Sequence, residues 1–516
     1  MLGQVKFAVT GATGFVGRHL VRKLQISGHS VTCLSRQSSA LPRALQGVQH
    51  RQLDNYLNID TLTRALAGVD VVVHLAARAH VLEKTAVSDE DAFKVANVES
   101  AVAVARAART ARARRFVLIS SIGVNGDCTN GIPFTENDEP RPQELYAVSK
   151  WRAEQKIRSE LADGPTDFVI LRPTLVYGSE CPGNFRLLLN LVYHLPLVPL
   201  GALHRPRSLI HVENLCDAII KASVQPAVSR QTFVLSDGLN FSIAEVARTL
   251  SHAFGKDPKC VIPIPEAILR SAACLIGKSD SAHKLLAELA VDSSAFQKVA
   301  GWTPPIEPVL GLEETARWFA SREKDRSSEK MKRIFDLSLA IYSVALLALP
   351  IVVIFLLVRL SSPGPALYWS DRVGKNNRVF RMPKFRSMRV GTPALATHLL
   401  KDPDAYVTPI GFFLRKSSLD ELPQLWSILV GDMSFVGPRP ALFNQDDLIA
   451  LRSQHGAHKL TPGLTGWAQV NGRDELPLLE KVKLDSEYLR RRSLWFDIRI
   501  LWLTFVKVLR QEGVSH

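Results

Sequence analysis

The chain has 516 residues, too many for one hydrophobic core, because single domains stop growing near about 250–300 residues, so at least two domains are expected. A composition of 46% hydrophobic and 22% charged residues excludes a largely disordered chain. The 64 Lys and Arg against 49 Asp and Glu leave a formal +15, which points to nucleic acid, an anionic membrane or acidic small molecules. From Met331 onward, 25 basic and 16 acidic residues give +9, leaving +6 for the first 330 positions. No nucleic-acid module, aromatic platform or basic helix accompanies the excess, so nucleic acid is not an expected partner. The six cysteines, at 33, 128, 181, 216, 260 and 274, form no C-x-x-C pair, which argues against a disulfide framework and fits a reducing compartment. The start, MLGQVKFAVTGATG, lacks the pattern of a signal peptide, and the first domain is expected on the cytoplasmic side.

Through the first 320 residues apolar runs alternate with helical patterns. VKFAVTG, HSVTCLS, VDVVVHLAA, RRFVLISS and DFVILRPTLVYG read as buried parallel strands, which predicts a doubly wound α/β sheet of Rossmann type. The first strand runs into GATGFVG, placing Gly11, Gly14 and Gly17 at the mouth of a helix, where glycines let a pyrophosphate approach the helix N-terminus. The second strand ends at Ser35-Arg36, where an arginine suits the 2′-phosphate of NADP rather than the ribose hydroxyls of NAD; a solvated surface arginine is the alternative. Asp54, after the third strand, is an adenine contact or a plain loop aspartate. Farther on, Ser120-Ser121 closes a strand and YAVSK follows, setting Tyr146 and Lys150 on one helix face. There the ammonium is expected to lower the phenol pKa so that Tyr146 exchanges a proton with substrate, while Ser121 bonds the same oxygen.

These segments, with HLAA (74–77), Asn97, SSIGVNG, LRPTLVYG (171–178), PGNF (182–185) and RSLIHVENL (207–215), resemble the extended short-chain dehydrogenase/reductases of the nucleotide-sugar epimerase and dehydratase type. The resemblance covers residues 1–320 as one nucleotide-sugar domain and implies hydride transfer between an NADP or NAD nicotinamide and a sugar ring carbon. It also implies contacts from Asn184 and Arg207 to a nucleotide diphosphate. Asn125 departs from the tyrosine the family often has before the glycine that ends SSIGVNG, Gly126.

Residues 321–330, SREKDRSSEK, contain no apolar side chain and read as a charged linker or an exposed helix end. Then come 22 uncharged, mostly apolar residues, 337–358, a length suited to a bilayer core; a buried core helix is the alternative. Beyond them lie KFRSM (384–388), LRKSSLDELPQLW (414–426), GDMSFVGPRP (431–440) and TPGLTGWAQVNGR (461–473). The adjacent Asp420 and Glu421 suit magnesium binding or attack on phosphorus, and Lys384, Arg386, Arg415, Arg439 and Arg473 supply phosphate-binding cations.

Those four motifs, in that order, closely resemble the bacterial sugar transferases, the monotopic phosphoglycosyl transferases that load a sugar onto a polyprenyl phosphate carrier. The resemblance implies a re-entrant helix over 331–360 and a mainly helical catalytic domain over 361–516. Asp420 would be the nucleophile and metal ligand, with Glu421 as its partner and Mg2+ neutralising the diphosphate. Lys384, Arg415, Arg439 and Arg473 would line the phosphate site. Pro350 permits a kink within the apolar run, although Leu349 replaces the Ser the family often has before it. LWFDIRILWLTFVKVL (494–509) reads as an interfacial helix or an internal packing helix.

The expectation is a bifunctional inner-membrane enzyme of surface glycan assembly, both sites facing the cytoplasm. It would reduce a UDP-4-keto-6-deoxy-N-acetylhexosamine with NADPH and pass the phosphosugar of a UDP-sugar to undecaprenyl phosphate with release of UMP. Alternatives are a UDP-sugar 4-epimerase fused to the same transferase, or an oxidoreductase anchored by a silent transferase half. Both resemblances imply a homodimer.

Overall fold

The computed structural model describes residues 4–36, 48–78, 89–275, 286–390, 392, 406–472 and 476–509. The chain divides into two compact units, Met1–Arg322 and Glu323–His516.

The first unit contains ten described strands: β1 (Lys6–Thr10), β2 (Ser30–Ser35), β3 (Gln49–Gln52), β4 (Val71–His74), β5 (Arg115–Ile119), β6 (Asp167–Pro173), β7 (Leu175–Tyr177), β8 (Pro206–His211), β9 (Thr232–Leu235) and β10 (Asn240–Ser242). Seven form one parallel sheet in the order β3-β2-β1-β4-β5-β6-β9, and β10-β8-β7 form a smaller one. The first four apolar runs became β1, β2, β4 and β5, the fifth is split between β6 and β7, which belongs to the smaller sheet, and the large sheet is doubly wound as expected. Their side chains alternate between two cores: Phe7, Val9, Val71, Val73, Val117 and Ile119 enter one, and Ala8, Val72, Phe116 and Leu118 the other. Helices cover both faces, so these strands are apolar throughout instead of alternating with polar residues. β3 (QHRQ) lies at the sheet edge and stays polar. The glycine turn after β1, His74 at the end of β4 and Ser120-Ser121 after β5 all fall at carboxyl ends of strands, where open α/β sheets hold their ligands.

A helix over Pro308–Ser361 starts in the first unit, where Leu312, Ala316 and Phe319 are buried, and includes the charged stretch 321–330, which is helical. The helix is continuous through Pro350. Its most apolar 18-residue window is only 11% buried, so a core helix does not describe it. Ile341, Leu346, Leu349, Val353 and Leu357 are exposed, and by length and composition the helix could cross a membrane.

The second unit is mainly helical but carries two small sheets. β11 (Leu367–Val373), β12 (Val379–Phe385) and β14 (Ala441–Leu442) form an antiparallel sheet, and β13 (Ser434–Val436) pairs in parallel with β15 (Gly463–Thr465). In the GDMSFVGPRP and TPGLTGWAQV segments the backbones meet so closely that a Cβ on Gly437 would stand 2.2 Å from the Thr461 carbonyl oxygen. The helix Leu494–Leu509 does two things at once: Phe496 and Ile500 are buried in the core, whereas Trp495, Trp502 and Phe505 are exposed.

Candidate functional site

In the first unit the glycine turn fits a dinucleotide. Gly11 has φ +69°, and a Cβ there would stand 2.8 Å from the Ala76 amide nitrogen. A Cβ on Gly17 would stand 2.2 Å from the Gly11 carbonyl oxygen, so the turn can press against the helix Phe15–Ile26 only with glycine at that position. Gly14 is the N-cap and has no side chain to fill the helix mouth. Arg36 and Asp54 are both exposed, just past β2 and β3.

Tyr146 and Lys150 lie on the helix Leu145–Glu160. The Lys150 ammonium donates to the Ile119 carbonyl at 2.8 Å and stands 5.8 Å from the Tyr146 ring centroid. Ser121 caps the short turn Ile122–Val124, its hydroxyl accepting from the Gly123 amide at 3.2 Å. A Cβ on Gly123 would stand 3.3 Å from that of Ala147, which brings the serine turn against the tyrosine helix. One expectation needs correction. Burial pushes the Tyr146 phenol up to about 12, and burial also pushes the Lys150 ammonium down to about 8, with Glu154 opposing. The apolar surroundings outweigh the lysine's pull on the phenol.

Residues beneath this pair hold it in place. The Asn97 amide donates to the Ser149 hydroxyl at 2.9 Å, and its oxygen accepts from the Arg78 amide at 2.7 Å. It lies in a π-helical turn, Lys94–Glu99, a distortion common at functional sites. Glu154 is wholly buried and accepts from Arg172 at 3.0 and 2.6 Å; Arg172 also donates to Asn125 at 3.0 Å. Asn125, 1% exposed, is therefore tied into this network and to the Thr135 carbonyl. Asn184 is exposed near the start of the helix Gly183–His194. Arg207, on β8, donates to the Ala287 carbonyl at 2.6 Å, and burial lowers its pKa to about 10.

In the second unit Asp420 and Glu421 sit in the turn Leu419–Glu421, entered through Ser418 at φ +56°. A serine in the left-handed region is unusual and marks a constrained turn. Lys384, from β12, donates to Glu421 at 2.6 Å and lies 4.0 Å from Asp420. Burial raises the Asp420 pKa; Lys384 and Arg415 pull against it, while Glu421 adds to it. Burial acts on Glu421 too, but Lys384, Arg439 and the Gln424 side chain together hold its pKa below the usual value. One carboxylate is thus neutralised by a lysine and the other is left facing a field of cations.

The structure brings Lys384, Arg415 and Arg439 to the electrostatic surroundings of the acid pair. It adds Arg372 on β11, which feels the charges of Arg439 and Glu421. The sequence carried no signal for Arg372 beyond its charge, because only the strand pairing brings it near. Arg386 serves elsewhere: it is buried and donates to the carbonyls of Pro363 and Ser362 at 2.7 and 2.8 Å, clamping the loop after the long helix. Arg473 lies outside the described residues.

Among the described residues no three His, Cys, Asp or Glu side chains cluster as a metal cage. Asp420, with Glu421 beside it, still fits magnesium, which takes one or two carboxylates and completes its shell with water and substrate phosphates. All six cysteines are free thiols.

The first unit thus has the fold of a dinucleotide-dependent enzyme, and the second is a cation-lined acid pair attached to an apolar helix. Residues 7–235 match the NAD dependent epimerase/dehydratase family, and residues 327–511 match the bacterial sugar transferases. The chain is 34% identical over 316 residues to a UDP-glucose 4-epimerase of Vibrio cholerae, an alignment covering 60% of this chain and 94% of that protein. It is 39% identical over 186 residues to an uncharacterised sugar transferase of Bacillus subtilis, covering 36% of this chain and 91% of that one. It is also 42% identical over 184 residues to the UDP-glucose:undecaprenyl-phosphate glucose-1-phosphate transferase of Escherichia coli K12, covering 34% of this chain and 40% of that transferase's length. The chain belongs to the epimerase/dehydratase family in its first part and to the bacterial sugar transferase family in its second.

Proposed function

We propose that the chain catalyses two linked steps of glycan assembly: exchange of hydride and proton on a UDP-sugar in the first unit, and transfer of the phosphosugar of a UDP-sugar to polyprenyl phosphate in the second. The observation that carries the second step is the unequal acid pair, with Glu421 held by Lys384 at 2.6 Å and Asp420 4.0 Å from the same ammonium. Asp420 attacks the sugar-bearing phosphorus, forming a carboxyl–phosphate bond as the bond to the bridging oxygen breaks and UMP leaves. An oxygen of the polyprenyl phosphate then attacks the same phosphorus and frees the carboxylate. Arg415, Arg439 and Arg473, with Lys384 and the newly placed Arg372, balance the phosphate charge. Asp420 and Glu421 would hold the magnesium ion, which supplies further charge neutralisation there. Covalent transfer lets a soluble donor and a lipid acceptor use one site in turn.

In the first unit, the turn at Gly11, Gly14 and Gly17 holds the dinucleotide, whose nicotinamide supplies the hydride acceptor and donor. Tyr146 takes and returns the proton of the sugar hydroxyl, Ser121 fixes that oxygen, and the Lys150 charge stabilises the phenolate. Asn184 and Arg207 serve the nucleotide diphosphate. The likeness to a UDP-glucose 4-epimerase along 94% of that protein favours epimerisation. A second reading, net reduction of a UDP-4-keto-sugar with NADPH, is favoured by Arg36, a basic residue where an NAD-specific fold carries an acid. Incubation with UDP-hexoses and with UDP-4-keto-sugars, scored for NADPH loss and UMP release, separates the two: interconversion of UDP-hexoses without NADPH loss supports epimerisation, and stoichiometric NADPH loss supports reduction. UMP release from none of the UDP-sugars in the presence of polyprenyl phosphate would leave the silent-anchor reading in place of the transferase.

The apolar stretch completes this reading as a membrane helix that enters and leaves by one leaflet, with the bend at Pro350 inside the continuous helix. Ala340, near its start, packs with Met382, Leu425 and Ile428. Ile354 and Val358, near its end, pack with Phe385, Leu414 and the active-site turn residues Leu419 and Leu422. Both ends thus rest on the same catalytic unit, an arrangement that supports a monotopic attachment at the inner membrane with both sites facing the cytoplasm.

A further inference from the structure

The second unit contains a cavity of about 200 Å³ that shares no lining residue with the acid pair or Lys384. It lies where the long helix turns from charged to apolar, between Asp336 and Leu337. Part of its wall is fixed: Arg333 donates to the carbonyls of Ile428 and Leu429 at 2.5 and 2.7 Å, Lys332 pairs with Asp497 at 2.6 Å, and Asp336 accepts from the Phe435 amide at 3.2 Å. The rest is only loosely engaged. Lys375 and Arg492 converge on one oxygen of Glu329 at 3.4 and 3.3 Å, and Lys459 lines the same cavity, its ammonium without a hydrogen-bond or ion-pair partner among the described residues. The Glu329 side chain is 48% exposed and that of Lys375 41%. Pairs so exposed are weak, so a more highly charged anion can displace the carboxylate.

Exposed apolar side chains lie close by in the chain, outside the cavity lining. Met331 and Ile334, on the helix turn that supplies Lys332 and Arg333, are 54% and 59% exposed, and Trp495, three residues after Arg492, is 82% exposed. Cations around a cavity at the point where the long helix turns apolar match the two ends of a phospholipid better than a free anion.

We propose that this cavity binds the phosphate of an anionic phospholipid headgroup, which takes the place of Glu329 between Lys375 and Arg492 and is closed over by Lys459. The inference rests on the reading that residues 337–358 are embedded in a membrane.

The test uses the full-length protein in detergent. Retained lipid is counted by native mass spectrometry after exposure to vesicles of phosphatidylcholine alone or with one-fifth phosphatidylglycerol, and flotation with both vesicles is measured in parallel. The expected result is retention of phosphatidylglycerol over phosphatidylcholine by about tenfold, lost in a Lys375→Ala/Lys459→Ala double variant and unchanged in Lys483→Ala, an exposed lysine away from the cavity. Glu329→Gln, which removes the resident carboxylate, is expected to raise retention, and a misfolded protein would not do so. Equal retention of the two lipids, full retention by the double variant, or displacement of the lipid by millimolar inorganic phosphate overturns the assignment. Failure to float with either vesicle overturns the membrane reading itself, and the lipid assignment with it.

Discussion

Each unit sets a lysine beside an oxygen acid, and the two pairs differ in what surrounds them. Lys150 is buried on the tyrosine's own helix, donates to a backbone carbonyl, and is pushed by burial to about 8, near neutrality. Lys384 comes from a strand to a turn elsewhere in the chain and stands between two carboxylates, 2.6 Å from one and 4.0 Å from the other. The first arrangement suits proton exchange at Tyr146, with a neighbouring ammonium that changes charge near neutrality. The second suits nucleophilic attack on a polyanion, in which the nearby cations oppose the burial that raises the Asp420 pKa. Identical residue types do different work because burial dominates at one lysine and two carboxylates at the other.

The comparison breaks most sharply at Asp420. Asp420→Asn is expected to lower UMP release from UDP-sugars by about a thousandfold or more, with conversion of the sugar nucleotide by the first unit unchanged; residual release within tenfold of the parent would remove Asp420 from the nucleophile role. The converse is Tyr146→Phe. Sugar-nucleotide conversion should fall about 10²- to 10⁴-fold, while phosphosugar transfer from a supplied UDP-sugar persists, and parallel loss of both activities would contradict independent sites.

The pH dependence sharpens the same contrast. Because burial lowers the Lys150 pKa to about 8, the ammonium is present below that value and lost as pH rises through it. First-unit activity should rise with pH up to about 8 and level off above it, because the ammonium is then lost as fast as the phenolate, at about 12, is gained, and a rise that continues to pH 10 would show that the lysine charge is not needed. The smallest effect is expected from Gly17→Ala. Its Cβ meets the Gly11 carbonyl oxygen at 2.2 Å, so a loss of about 1–3 kcal/mol in stability and weaker dinucleotide binding should appear in thermal unfolding with and without cofactor. An unchanged melting temperature would mean that the turn relaxes freely.

The sheet was legible in the sequence because strands buried on both faces are apolar throughout, as in VVVH and RFVLI, and the glycine turn was legible because its spacing is a backbone requirement. The acid pair was legible as a motif. The surroundings of the pair were not, since Arg372 comes near Glu421 only through the pairing of β11, and Arg386, equally basic in sequence, turns away to clamp a loop. Nor could the sequence weigh burial against charge, so the direction of the Tyr146 shift emerged only from its packing. The 321–330 stretch looked like a linker because its residues are all polar, yet a solvated segment with apolar anchors on both sides can continue a helix.

The central claim is covalent capture at Asp420, and the most direct measurement is peptide mass spectrometry of the full-length protein mixed with UDP-sugar and magnesium without polyprenyl phosphate. A phosphosugar adduct on the peptide bearing Asp420, formed together with UMP and lost when polyprenyl phosphate is added, is the predicted result. UMP release that requires polyprenyl phosphate from the start, with no adduct at any time, would contradict it.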